Sequence, residues 1–186
     1  GKNVRAITNN GSINLLPAWS KDGRSILFTS YIRRNPNLYT IPSTGGRPKL
    51  LSGERGLNTG GAMSPDGKQV ALTLSRDGNS EIYKMNTDGT ALKRLTNEWA
   101  IDSSPTWSPN GKRIAFVSSR WGDPHIFVMN SDGSGVKRLT DRGTYNQTPD
   151  WSPKGDLIAF TARDERNKFD IFTVNPDTKE IRRLTQ

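Results

Sequence analysis

The sequence predicts an all-β protein made of one repeated unit, and three observations support this interpretation. The chain of 186 residues carries four copies of one motif, a large apolar residue followed by Ser, a Gly-containing turn and an apolar run. The copies lie 44 residues apart and begin at Trp19, Met63, Trp107 and Trp151. Turn residues separate the apolar runs, and helical periodicity is absent. Because a period of about 40–45 residues is typical of a propeller blade, we predict a β-propeller.

The third copy indicates that one repeat contains four antiparallel strands. The first strand should end at Trp107. The runs Ile114–Val117 and Ile126–Met129 are apolar at consecutive positions, so the strands that they form should be covered on both faces. After the hairpin signal Asp132-Gly133, charges interrupt the apolar pattern of Val136–Thr140, as expected of a strand at an exposed edge. We therefore predict four-stranded antiparallel blades whose fourth strand faces solvent.

This register divides the chain into four complete blades within one partial propeller domain that spans residues 1–186. The predicted blades cover about 10–52, 53–96, 97–140 and 141–186. Residues 1–8 are predicted to be the outer strand of a preceding blade, because Ile7-Thr8 lies 44 residues before Leu51-Ser52. An open array of blades leaves two apolar faces without a neighbour. We therefore expect a fragment of a longer propeller, or self-association that closes the ring.

Candidate binding residues lie in the variable loops and in the links between blades, since variable loops on a rigid scaffold usually carry binding. Polar residues recur in the links with the 44-residue period, at Asn14, Asn58, Asp102 and Asn146. Either they form a polar ring around the mouth of the central channel, or they satisfy the local backbone. Thr59 and Ser103, which follow two of them, are further candidates for partner contact.

Large apolar residues also recur with the period. One column, interpreted as packing within the blades, consists of Ile13, Leu57, Ile101 and Tyr145, the last of which is also a candidate for partner contact. The repeated tryptophans that we predict to be core residues are Trp19, Trp107 and Trp151. Trp99 and Trp121 have no aromatic counterpart in the other repeats. Aromatic side chains in loops are typical binding hot spots, although local packing over a blade edge would also explain them.

The net charge of +9 raises the question of a polyanion partner. Many of the basic residues, however, stand at equivalent places on the predicted outer strands, at Lys93-Arg94, Lys137-Arg138 and Arg182-Arg183. Charges on an edge strand prevent edge-to-edge pairing. A solvated edge is thus the preferred interpretation, with no nucleic-acid partner, and a polyanion-binding rim is the alternative.

Enzymatic patterns are scarce. The chain has one histidine, His125, and no cysteine, and it contains no nucleophile-elbow motif or phosphate-binding glycine loop. The Asp-Gly turns are interpreted as conformational, because they lack the spaced ligands of a calcium loop. We therefore expect no catalytic residues, no metal and no cofactor. No apolar run approaches about 18 residues, so no membrane insertion is expected.

Three segments resemble the β-propeller repeat of the TolB family, the periplasmic component of the Tol-Pal system in the cell envelope of Gram-negative bacteria. They are Leu16–Ser20, Ser104–Phe116 and Val136–Thr140. The resemblance covers essentially the whole chain. It implies a parent with six blades that follow a separate N-terminal domain, and a non-enzymatic scaffold for protein–protein interaction.

The same resemblance implies partners. The family's propeller binds the lipoprotein Pal at its channel mouth, and disordered colicin segments occupy the same region. By position, Leu57–Gly60 and Asp102–Ser104 resemble the links that contact Pal. Repeats of this kind also occur in prolyl-oligopeptidase-like peptidases and oligogalacturonate lyases. The alternative is therefore a substrate-gating or carbohydrate-binding propeller of a larger hydrolase or lyase.

Overall fold

The structure, a computed structural model, describes residues 2–185, and these form sixteen β-strands in four sheets. The first sheet comprises β1 (Asn14–Trp19), β2 (Ser25–Arg33), β3 (Asn35–Pro42) and β4 (Lys49–Ser52). The second comprises β5 (Asn58–Met63), β6 (Gln69–Leu74), β7 (Glu81–Asn86) and β8 (Lys93–Arg94). The third comprises β9 (Asp102–Trp107), β10 (Arg113–Ser118), β11 (His125–Asn130) and β12 (Lys137–Arg138). The fourth comprises β13 (Thr144–Trp151), β14 (Ile158–Arg163), β15 (Phe169–Val174) and β16 (Ile181–Arg183).

Each sheet is an antiparallel meander whose strands pair in chain order. The first strand of each sheet contacts the first strand of the next sheet, so β1, β5, β9 and β13 form the inner side of the array. The predicted all-β class of four-stranded antiparallel propeller blades is thus confirmed. Along residues 2–185, no helix has the length and apolar character needed to cross a membrane.

Short polar turns close the first hairpin of each blade, as the turn from Ser64 to Gln69 illustrates. The Ser64 hydroxyl donates to the Asp66 carboxylate at 2.6 Å, and this bond lowers the pKa of Asp66. The same hydroxyl oxygen accepts the backbone N–H of Gln69 at 2.9 Å. Gly67 takes a φ of +72°, a conformation that a residue with a Cβ rarely adopts. The turn sequence therefore fixes the register of the two strands that it joins.

The hydrophobic core lies between the sheets. In β6, Leu72 and Leu74 pack toward the first blade in a cluster that includes Leu38. Ala71, directly before Leu72, belongs to a different cluster, which contains Trp107 of the third blade. The two faces of one strand thus enter two cores, which explains why the apolar residues of the middle strands are consecutive rather than alternating.

The prediction of a core position is wrong for Trp19, whose exposed fraction is 64%. Trp107 and Trp151 are buried, as predicted. Trp107 lies against the preceding blade, where its indole N–H donates to the carbonyl oxygen of Ala62 at 3.1 Å. Trp19 has no such contact because the described part of the chain contains no sheet before the first blade. The repeat specifies the tryptophan, but burial requires the neighbouring blade.

The N-terminal segment also differs from the prediction. Residues 2–8 form no strand, and Gly1 lies outside the described residues. Ile7 nevertheless packs on the outer face of the first blade, beside the buried residues Phe28, Tyr39 and Ile41. Its carbonyl oxygen approaches Gly45, much as the carbonyl oxygen of Leu51 approaches Gly89. The segment therefore occupies the place of a preceding blade's outer strand. It forms no strand because the described residues include no sheet of that blade with which it could pair.

Candidate partner-binding site at the channel mouth

A β-bulge interrupts the inner strand of every blade and shapes the candidate site. In each case two consecutive residues oppose a single residue of the second strand. The first residue of the bulge shared by all four blades has a positive φ of 51–63°, and these residues are Leu16, Gly60, Ser104 and Thr148. The fourth blade has a second bulge, which begins at Tyr145 with a φ of 62°. Bulges bend a strand and redirect its side chains. The four strand beginnings together form one end of the channel, which we call the mouth.

Four polar residues begin the bulged segments and form a collar around the mouth. This polar collar consists of Asn14, Asn58, Asp102 and Asn146. The last three are fully buried, and Asn14 is half-buried. Asn58 donates to the backbone carbonyl oxygens of Glu54 at 2.7 Å and Gly56 at 3.2 Å. Burial of the last three contradicts direct contact with a partner, and the bonds favour the second interpretation, that the collar holds the link backbone.

Asp102 replaces the asparagine of the other blades and carries an ion pair. Arg120 donates to Asp102 at 2.8 Å and to Glu98 at 3.1 Å, and its guanidinium lies over the rings of Phe116 and Phe127. Burial raises the pKa of Asp102, while the neighbouring Ser118 hydroxyl and the Arg120 charge oppose this shift. A buried pair of this kind fixes geometry more than it adds stability. It holds the link beside Trp99 in one position.

A second ring of residues, directly before the collar, is exposed. This apolar ring consists of Ile13, Leu57, Ile101 and Tyr145, with exposed fractions of 62, 43, 56 and 43%. The prediction that this column packs within the blades is therefore wrong. The collar turns inward and is buried, so the preceding residue must face outward. Apolar side chains repeated around one opening form a patch of the kind that marks binding surfaces.

The remaining candidates lie at different depths. Trp99 has an exposed fraction of 78% and stands in the link before the third blade. Thr59 and Ser103 are half-buried and follow collar residues on the inner strands. Trp121 is 64% exposed, but its ring packs against Phe127 at a centroid distance of 5.4 Å, and the guanidinium of Arg138 lies over it. Trp121 thus covers an edge of the third blade and is not a member of the apolar ring.

The opposite end of the channel is lined by residues from all four blades. A cavity of about 330 Å³ there is bounded by Trp19, Met63, Trp107 and Trp151. Sequence analysis did not identify this opening or the bulges as part of the site. The sequence did contain a signal for the bulges. Three of the blades have a proline at the same position of the repeat, Pro17, Pro105 and Pro149, and the second blade has Gly61 there.

His125 has a structural environment. It is buried, its Nε2 accepts a hydrogen bond from Arg138 at 2.7 Å, and its Nδ1 lies 3.2 Å from the Thr140 hydroxyl. Burial, followed by the positive charge of Arg138, lowers the pKa of His125. Residues 2–185 contain no group of three or more His, Cys, Asp or Glu side chains that could hold a metal ion.

Comparison with known proteins identifies the family. The model of the TolB beta propeller domain matches residues 1–186. The chain belongs to the TolB β-propeller family. A Tol-Pal system protein TolB from Desulfosudis oleivorans is 47% identical over 58 residues, which cover 31% of this chain and 13% of that protein.

Solved TolB structures share the fold. The TolB of Acinetobacter baumannii has a TM-score of 0.85 and 32% identity, over 94% of this chain and 44% of that one. A putative TolB from Agrobacterium tumefaciens has a TM-score of 0.83 and 29% identity, over 90% of this chain and 63% of that one. The chain thus spans less than two thirds of these relatives. A puromycin hydrolase with a TM-score of 0.77 and 16% identity, over 97% of this chain and 30% of that one, shows the fold alone.

Proposed function

We propose that this chain is a non-enzymatic protein-binding propeller of a periplasmic Tol-Pal system, and that a partner docks on the apolar ring at the channel mouth. The observation that carries the proposal is the exposure of an apolar residue at the same place in every blade. Kinship with TolB supports the choice of system.

The ring suits a protein partner because it is both apolar and preorganised. Apolar side chains such as Ile101 contribute when a partner removes them from water, at roughly 25 cal/mol per Å² of buried apolar area. Collar residues below them hold the backbone in place, so little ordering is needed on binding. Thr59 and Ser103, half-buried inside the mouth, offer hydroxyl groups to the backbone of an inserted segment.

The partner that we propose is a Pal-like lipoprotein, with disordered colicin-type segments as further ligands of the same mouth. Trp99 stands beside the ring and is the most exposed tryptophan of the chain. An aromatic side chain beside an apolar surface is typical of a binding hot spot. We therefore assign Trp99, Ile101, Leu57 and Tyr145 to direct contact, and Asn14, Asn58, Asp102 and Asn146 to positioning. Trp121, which lies outside the apolar ring, is proposed as a peripheral contact of the partner.

Calorimetric titration of the chain with Pal from the same genome tests this proposal. Trp99→Ala and Ile101→Ala should each weaken binding by at least about 1 kcal/mol, roughly fivefold, because each removes an exposed apolar contact at the mouth. Val136→Ala is the matched control, since Val136 is also an exposed apolar residue but lies beside the turn before β12, at the opposite end of the blade. Unchanged affinity in both mouth variants, with folded protein, would remove the ring from the site.

A further inference from the structure

The fourth blade contains a recess beside the mouth, which it borders at the collar residue Asn146. It has a volume of about 320 Å³ and lies where the link 142–143 meets the loop 164–166. Its floor is the stacked pair Phe160 and Phe172, whose ring centroids are 5.7 Å apart, and β16 closes its outer side. These rings belong to the core between the third and fourth blades. All the residues that line the recess belong to the fourth blade and the link that leads into it.

The third blade fills the equivalent space with its own side chains. Arg120 lies over Phe116 and Phe127, at 5.8 and 4.9 Å from their centroids, and Trp121 packs beside Phe127. Asp164 and Glu165 stand 44 residues after Arg120 and Trp121. Neither can cover an aromatic floor as a guanidinium or an indole does. The recess thus exists because Asp164 and Glu165 stand where the third blade has Arg120 and Trp121.

Positive charge dominates the walls of the recess. Arg142, Arg163 and Arg166 line it, and none of the three makes an ion pair with another described residue. The Asp164 carboxylate is already paired with Arg183 at 3.2 Å, which leaves Glu165 as the one acidic wall residue without such a pair. Three arginines without counterions beside an aromatic floor favour an anion that carries an apolar group.

Two buried polar atoms at the recess have no partner among the described residues. They are Nε of Arg163 and the side-chain oxygen of Asn146, a fully buried residue that lines the recess. The Arg163 guanidinium lies over the rings of Phe169 and Tyr145 at 4.7 and 5.2 Å, which holds it at the wall. Unsatisfied buried groups are costly and uncommon in folded proteins. A ligand that offers an acceptor and an N–H would satisfy both.

We propose that this recess binds a carboxylate attached to an apolar group and an amide N–H, the chemistry of an N-acylated apolar amino acid or of a protein chain that ends in one. The carboxylate pairs with Arg142 and Arg166, and the apolar group lies on Phe160 and Phe172. The amide N–H donates to the side-chain oxygen of Asn146. Specificity comes from the combination of the arginine charges with the aromatic floor, because positive charge alone is common on the surface of this basic protein.

Titration of the ¹⁵N-labelled chain with N-acetyl-L-phenylalanine, followed at the arginine Nε–H signals by NMR, tests this proposal. A saturable shift of the Arg163 signal is expected, and the uncharged N-acetyl-L-phenylalanine amide should bind at least tenfold more weakly. Arg142→Gln combined with Arg166→Gln should weaken the acid at least tenfold. Arg182→Gln should not, because it removes a charge that lies outside the recess on the same blade.

A variant in which side chains fill the recess provides a second test. Asp164→Arg combined with Glu165→Trp copies the third blade and should abolish binding while the fold is kept. Tighter binding of a pentapeptide that ends in a free phenylalanine, relative to N-acetyl-L-phenylalanine, would assign the recess to a protein C-terminus, and weaker binding would assign it to small acids. Equal binding of acid and amide, unchanged binding in the filled variant, or no saturable shift would overturn the proposal.

Discussion

At the scale of single residues, position within the repeat indicated importance but not role. Asn58 and Leu57 are neighbours that recur with the same period, yet the first is fully buried and the second is exposed. The hydrogen bonds of Asn58 to the link carbonyls explain the difference. The polar side chain turns inward because the backbone needs its donor, and the apolar one is left at the surface.

His125 provides a pH test at this scale. Its folded-state pKa is lowered from 6.5 by burial and then by the Arg138 charge, with Asp123 and Asp141 opposing. Neutral His125 therefore contributes stability above the unfolded pKa, and this contribution is lost as the pH falls below it toward the folded pKa. Urea unfolding at about pH 7.5 and about pH 5 should show a smaller loss for His125→Asn, which copies Asn37 of the first blade, than for the original chain. Equal losses would contradict a role for His125.

At the scale of elements, the bulges in the inner strands shape the channel mouth. Gly61 follows the positive-φ residue Gly60, where the other blades have proline. A Cβ on Gly61 would meet the methyl groups of the buried Leu38 at 2.7 and 2.8 Å, whereas a Cβ on Gly60 would have no contact closer than 3.8 Å. Leu38 of the first blade thus occupies the space that a side chain at position 61 would need.

Gly61→Ala should therefore destabilise the chain by about 1–3 kcal/mol, the usual cost of overpacking a core. Urea denaturation measures this loss, and the same substitution in a Leu38→Val background should cost less, because the shorter side chain vacates the contact. Gly60→Ala should cost about 1 kcal/mol for a different reason, its φ of +63°. Here the Leu38→Val background should make no difference. Additive effects of Gly61→Ala and Leu38→Val would refute the steric explanation.

At the scale of the whole molecule, the two end blades expose apolar residues that the inner blades bury. Trp19 of the first blade is 64% exposed, and Leu184, which follows β16, is 60% exposed. Their counterparts Trp107 and Leu139 are buried between blades. Faces of this kind lower the free energy of the chain when another sheet covers them.

We therefore expect the 186-residue chain in isolation to self-associate through these faces. Light scattering should show a larger average mass than that of one chain, and Trp19→Arg combined with Leu184→Arg should lower this mass by placing charge on both faces. Val136→Arg, on an exposed residue outside both faces, is the control. A stable monomer that binds no hydrophobic dye would contradict the expectation.

The sequence by itself determined the repeat, the four-stranded blades and the candidate set, because turn residues and apolar runs such as Ile114–Val117 are local signals that propagate with the period. Tertiary structure decided which members of that set face a partner. Leu57 and Ile101 are exposed, Asn58 and Asp102 are not, and Trp19 lacks the blade that buries its counterparts. Burial depends on what stands on the far side of each sheet, and that is not encoded within a single repeat.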